Sequence, residues 1–220
     1  MNARPKLIAA GLASLALVAV GQATAEVIDF EGFSNGATVT SSGIISSITA
    51  SGGFNQARIF NTAASNNAGN VATDPDLIAP FSEIGGGQVL SPGNVLIIQD
   101  NANGGTLTFM FAGPITVLSM NVFDADGGTV KFFGSGGQIG TTVNLGNSDD
   151  TANGAGNWYE ALTFGATGVA NVTKMELYFT KSGAVDDITV VPLPAAAWLF
   201  GSALLGVIGI GSRRRARASA

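Results

Sequence analysis

Along residues 26–191 the apolar positions recur mostly in twos. In 106–111, Leu107, Phe109 and Phe111 share one parity, and in 174–179 the same holds for Met175, Leu177 and Phe179. A strand sends successive side chains to opposite faces, so this period predicts strands buried on one side. Runs at 27–30, 44–48, 95–99, 115–123, 130–133, 141–145, 159–164 and 185–191 complete a set of about ten strands. Abundant Gly, Asn and Ser between the runs supply tight turns, and no stretch of this region carries the period of a soluble helix. The expected architecture is all-β: two packed antiparallel sheets forming a β-sandwich. The polar, Gly-rich stretch 52–93 is long for a connection and is expected to be a functional loop or partly disordered.

The two ends break this pattern. Pro192 and Pro194, one residue apart, end a strand, and Pro194 can open a helix. The run 195–211 has no charged side chain and is followed by Arg213, Arg214, Arg215 and Arg217. As a helix it would rise about 25 Å, close to the hydrocarbon thickness of a bilayer, and it is apolar all round, as a transmembrane helix is and a surface helix is not. The arginines stay cytoplasmic by the positive-inside rule, which places the rest of the chain outside. At the other end Arg4 and Lys6 precede an apolar run over 7–20, and Ala23 and Ala25 supply the small residues of a signal-peptidase site before Glu26. A cleaved signal peptide (1–25) is expected in preference to a retained anchor. An exported domain (26–191) and a C-terminal segment (192–220) complete the organisation.

The tail Val191-Pro192-Leu193-Pro194-Ala195, with Trp198-Leu199-Phe200-Gly201, Leu204-Leu205-Gly206 and the terminal arginines, closely resembles the PEP-CTERM sorting signal of Gram-negative bacteria. Leu193 stands where that family usually has glutamate, and Val-Pro-Leu-Pro-Ala is a recognised variant. The resemblance implies that an exosortase, an integral-membrane cysteine transpeptidase, recognises the tail and cuts near the proline motif. The inner membrane would hold the chain only during sorting. The product would then pass to the cell surface or extracellular matrix, among exopolysaccharide and biofilm components.

Charge narrows what the exported part can touch. It holds all 15 acidic residues but only Arg58, Lys131, Lys174 and Lys181 of the 10 basic ones, a net charge of −11. Nucleic acid is excluded as a partner, because phosphate contacts need a basic face. With no Cys and no His, disulfides, thiol catalysis, imidazole bases and the usual zinc and copper sites are excluded as well.

Four groups of residues remain as candidate sites. Period two puts Asp186 on the face of Ile188 and Val190, where a buried charge needs a cation or hydrogen-bond donors; the alternative is a strand end in water. The segments Ile28-Asp29-Phe30-Glu31 and 184–190 resemble the terminal strands of jelly-roll domains of the galactose-binding, carbohydrate-binding-module kind. That resemblance implies a structural calcium ion, with Asp29, Glu31, Asp186 and Asp187 as its carboxylates. Asp124-Ala125-Asp126-Gly127-Gly128 begins like a calcium loop but lacks the closing acidic residue, and reads as a hairpin turn. Asp74, Asp76, Asp149 and Asp150 read as loop chemistry. Trp158 and Tyr159 offer aromatic platforms for a glycan, against the alternative that Trp158 plugs the sandwich. No nucleophile motif is present, so the expected role is a non-enzymatic surface or matrix protein with calcium or polysaccharide contacts. The alternative is a secreted carbohydrate-active enzyme using paired carboxylates.

Overall fold

The computed structural model describes residues 23–63, 77–99, 104–147 and 157–193. Residues 1–22 of the expected signal peptide 1–25, the segments carrying Asp74, Asp76, Asp149 and Asp150, and the tail from Pro194 through the expected helix 195–211 to the arginines lie outside the described residues.

Twelve strands form, and no helix occurs among the described residues: β1 Glu26–Ile28, β2 Ile45–Ser51, β3 Ala57–Asn61, β4 Phe81–Glu83, β5 Val89–Leu90, β6 Asn94–Ile98, β7 Gly105–Phe123, β8 Asp126–Gly134, β9 Gly137–Asn147, β10 Trp158–Thr163, β11 Val169–Phe179 and β12 Ala184–Pro192. Every pairing is antiparallel except β4 with β10.

The organising element is β7. Its first part pairs with β2 on one side and β11 on the other, and β8 and β9 extend beyond β11. Its last part pairs with β12 and β10; β6, β3 and β1 extend beyond β12, and β4 and β5 beyond β10. The two runs expected at 106–111 and 115–123 are thus one strand that crosses from one half-sheet to the other. The crossing falls at Ala112-Gly113-Pro114, opposite the register shift between Val172 and Lys174 of β11. A proline lacks the ladder donor and is tolerated at such an irregularity.

The halves enclose a sandwich-like core. Leu107, Phe109, Val130, Phe132, Met175 and Leu177 come from one half, and Ile59, Leu96, Val122, Val185, Ile188 and Val190 from the other, all essentially buried. A second, smaller core lies on the opposite face of the β6–β12–β7–β10 half: Phe60, Leu77, Phe81, Val95, Ile97, Phe123, Tyr159 and Ala184. Phe123 is edge-on to Phe81, with ring centroids 5.0 Å apart, and stacks on Tyr159 at 5.7 Å.

This second core explains the structure of 52–93, expected as loop. It supplies β3, β4 and β5. In β3 the adjacent Ile59 and Phe60 are both buried, one facing each core, so the alternation that marks a half-buried strand is absent.

The Asp124 segment also departs from expectation. Strands β7 and β8 are consecutive but do not pair with each other, so the segment is a crossing and not a hairpin turn. The last part of β7 already has β10 and β12 on its two sides, and β8 pairs with β11 and β9 instead. Asp124 has left-handed backbone (φ 48°), and Asp126 meets Lys181 at 3.0 Å.

Candidate functional site

The first and last strands meet. Glu26 pairs with Val190, Val27 with Thr189 and Ile28 with Ile188. Ala25 is exposed and Ala23 half-buried, both just before β1. The proline motif opens on the same strand end: Val191 pairs with Thr116 and Pro192 with Ile115, and the Leu193 N–H donates to the Pro114 carbonyl at 3.4 Å. The expected signal-cleavage site and the start of the expected sorting motif are therefore neighbours at one edge of the domain. The remainder of the motif, Pro194 with Arg213, Arg214 and Arg215, lies outside the described residues.

Four carboxylates gather where β1 leaves this edge. Asp29 and Phe30 follow directly on Ile28, the last β1 residue paired with β12, and Asp186 and Asp187 directly precede its partner Ile188. Two residues here have left-handed backbone, Phe30 (φ 54°) and Asp187 (φ 51°), each costing about 1–2 kcal/mol relative to ordinary backbone. The bulge at Asp187 changes the parity of β12. Val185 and Ile188, three residues apart, both reach the larger core, and the aspartates fall between them. Asp186 is only 2% exposed, so the expected burial is present, though through a bulge and not through simple alternation.

The carboxylates face different donors. Glu31 Oε1 accepts from the Asn94 N–H at 2.8 Å, and Asp29 Oδ1 accepts from the Glu31 N–H at 3.2 Å. Asp187 Oδ2 accepts from Asn121 Nδ2 at 2.9 Å. Asn94 is itself buried, donating to the Phe33 carbonyl and accepting from Asn61. Asp186 Oδ1 is buried and receives no hydrogen bond among the described residues. Burial first, then the neighbouring Asp187, push its carboxyl up from 3.8 to about 9; a backbone hydrogen bond from Asp187 opposes the rise, and Glu31 and Asp29 add to it. The group is therefore held as the neutral acid at pH 7. Among the described residues, no group of three or more acidic side chains is disposed to hold a metal ion. A proton on Asp186 removes the unpaired buried charge for which calcium at Asp29, Glu31, Asp186 and Asp187 was expected.

The aromatic pair separates. Tyr159 is 1% exposed and belongs to the smaller core, so it cannot serve as a glycan platform. Trp158, half-buried, starts β10; its carbonyl accepts from the Asp124 N–H at 3.0 Å and its backbone pairs with Ser82. Adjacent residues of a strand point to opposite faces, so the two rings could not have lined one surface.

Two exposed aromatics were missed by sequence reasoning, Phe54, 63% exposed, and Tyr178, 43% exposed on β11. The signal of Tyr178 was present in the alternation of 174–179, where it falls on the polar parity with Lys174 and Glu176. No protein-family model matches the chain, and comparison with curated proteins finds no match either.

Proposed function

We propose that this chain is exported with the aid of its N-terminal signal and processed by an exosortase at its PEP-CTERM-like tail. Its jelly-roll-like β-sandwich would then act without catalysis at the cell surface or in an exopolysaccharide matrix. The observation that carries this reading is the pairing of Glu26 with Val190, and of Pro192 with Ile115. Both processing sites sit at one edge of a folded unit spanning Ala23–Leu193. Cleavage at either end then leaves the cores whole. The acidic balance, −11 over residues 26–191, suits a domain that stays soluble outside the membrane.

The test is a reporter fused after Ala220, read for its side of the inner membrane, together with the N-terminal sequence of the product. The expected result is a cytoplasmic reporter and a product beginning at Glu26. A periplasmic reporter, or an intact chain soluble in the cytosol, overturns the proposal. A hydrolysis screen against polysaccharides bears on the enzyme alternative: turnover favours it, and binding without turnover favours the non-enzymatic role.

A further inference from the structure

The outer face of the half-sheet β2–β7–β11–β8–β9 is unlike the rest of the domain. Its inward parity is apolar, Leu107, Phe109, Val130, Phe132, Met175 and Leu177, all buried in the larger core. Its outward parity forms rows across the strands. Ser51, Thr106, Tyr178, Thr129 and Asn144 make one row in register. Thr49, Thr108, Glu176 and Lys131 make the next. Neighbouring strands lie about 4.8 Å apart, so the face presents a closely spaced grid of hydroxyl groups. On the central strand of the five stands the exposed ring of Tyr178.

The charge of this face is opposite to that of the domain. Two of the four basic residues of 26–191, Lys131 and Lys174, lie on it. The carboxylates on these five strands are Asp126, which meets Lys181 at 3.0 Å, and Glu176, which meets Lys174 at 2.8 Å. The Lys174 ammonium also lies 3.8 Å from the centre of the Phe133 ring, which holds it against the sheet. Lys131 takes part in neither of the two ion pairs found among the described residues. The outward groups thus sum to one positive charge within a domain of −11. A shallow depression lined by Gly134, Gln138, Ile139 and Asn171 lies at the β8–β9 turn.

We infer that this face binds an anionic, carboxylate-bearing polysaccharide. A pyranose ring has an apolar face that stacks on an aromatic ring and hydroxyls that exchange hydrogen bonds with threonine and asparagine; Tyr178 and its row supply both. The uronate carboxylate is assigned to Lys131. Charge complementarity decides for an acidic glycan over a neutral one: the acidic remainder of the domain repels such a polymer, and this cationic face orients it. This inference rests on the proposed role at the cell surface and gives that role a ligand class.

The experiment uses the purified full-length chain in detergent, titrated with alginate, with polygalacturonate and with neutral dextran. A polyuronate is expected to bind, weakening as salt rises, and dextran is not. Tyr178→Ala should weaken binding about five- to tenfold, while Tyr178→Phe, which keeps the ring, retains most of it. Lys131→Gln should weaken it about threefold and flatten the salt dependence. Val89→Ser, at an exposed side chain of the other half-sheet, serves as the control and should change nothing. None of the three positions is buried, and circular dichroism checks that each of the four variants keeps its strands. Failure of both polyuronates to bind, equal binding of dextran, or affinity unmoved by Tyr178→Ala overturns the inference. Because binding is measured on purified protein, a negative result leaves the export proposal standing. A cytosolic reporter-tagged chain that still binds would sink export alone.

Discussion

Asp186 sets the pH response of the domain. Its folded-state value of about 9 stands above the ordinary 3.8, so the folded protein keeps a proton there that the unfolded chain gives up. The stability this group contributes is whole below pH 4 and is lost as pH rises toward 9. Asp186→Asn places a neutral amide in the same space and removes this dependence. Urea unfolding at pH 5, 7 and 9 is expected to show the variant gaining on the parent at each step; parallel profiles would mean that Asp186 ionises freely in the fold. Calcium gives a second measurement at the same residue. An ion bound at 100 times its dissociation constant would add about 2.7 kcal/mol. With the carboxylates each facing its own donor, the melting midpoint of the domain is expected to be the same in calcium and in chelator, and a chelator-induced drop would restore the cation. A buried position for Asp186 was legible from the apolar residues around it. The bulge that put it there was not, because left-handed backbone at Asp187 leaves no mark in a pattern of apolar and polar letters.

Strand β7 is the element on which both half-sheets depend, and its first residue shows how closely. Gly105 has φ 147°, and a β-carbon there would run into the backbone carbonyl of Ser51, with the Ile98 side chain 3.0 Å away. Backbone cannot yield as a side-chain tip does, so Gly105→Ala is expected to lower stability by about 2–4 kcal/mol in a denaturant melt. A loss under 1 kcal/mol would show that β2 and β7 can separate at that end at little cost. The half-buried strands were readable at this scale: 106–111 and 174–179 bury the residues their alternation names, Leu107, Phe109 and Phe111 with Met175, Leu177 and Phe179. Strands with apolar neighbours on both faces were not. In β6 all five residues are buried, Leu96 and Ile98 toward one core and Val95 and Ile97 toward the other. Such a run shows that a strand is present but not that a second core exists, and β3, β4 and β5 were missed with that core. The face proposed to bind glycan was missed for a different reason. Trp158 and Tyr159 are adjacent in sequence, but sheet geometry sends them to opposite faces; Tyr178 gains polar neighbours only when strands distant in sequence line up beside it.

At the scale of the whole molecule the decisive feature is that the first and last strands among the described residues are partners, which sets where the proposed processing could cut without unfolding the product. Removing residues from Val190 onward would strip β1 of the partner of Glu26 and strip β7 of the partners of Val117, Thr116 and Ile115. It would also expose the space filled by Val190, fully buried, a loss of about 1.5–3 kcal/mol for that side chain alone. A cut after Leu193 breaks none of these pairings, because among the described residues the last backbone bond on this edge is the one from the Leu193 N–H to the Pro114 carbonyl. The mature protein released by a cell with its sorting enzyme is therefore expected to begin at Glu26 and to end at Leu193 or later, as read by intact-mass spectrometry. A chain truncated at Ile188 should melt well below one ending at Leu193. Were the released form to end at or before Ile188 and remain as stable as the longer chain, the terminal strands would not be the clasp that their register describes, and the proline motif would lie inside the processed segment and not at its border.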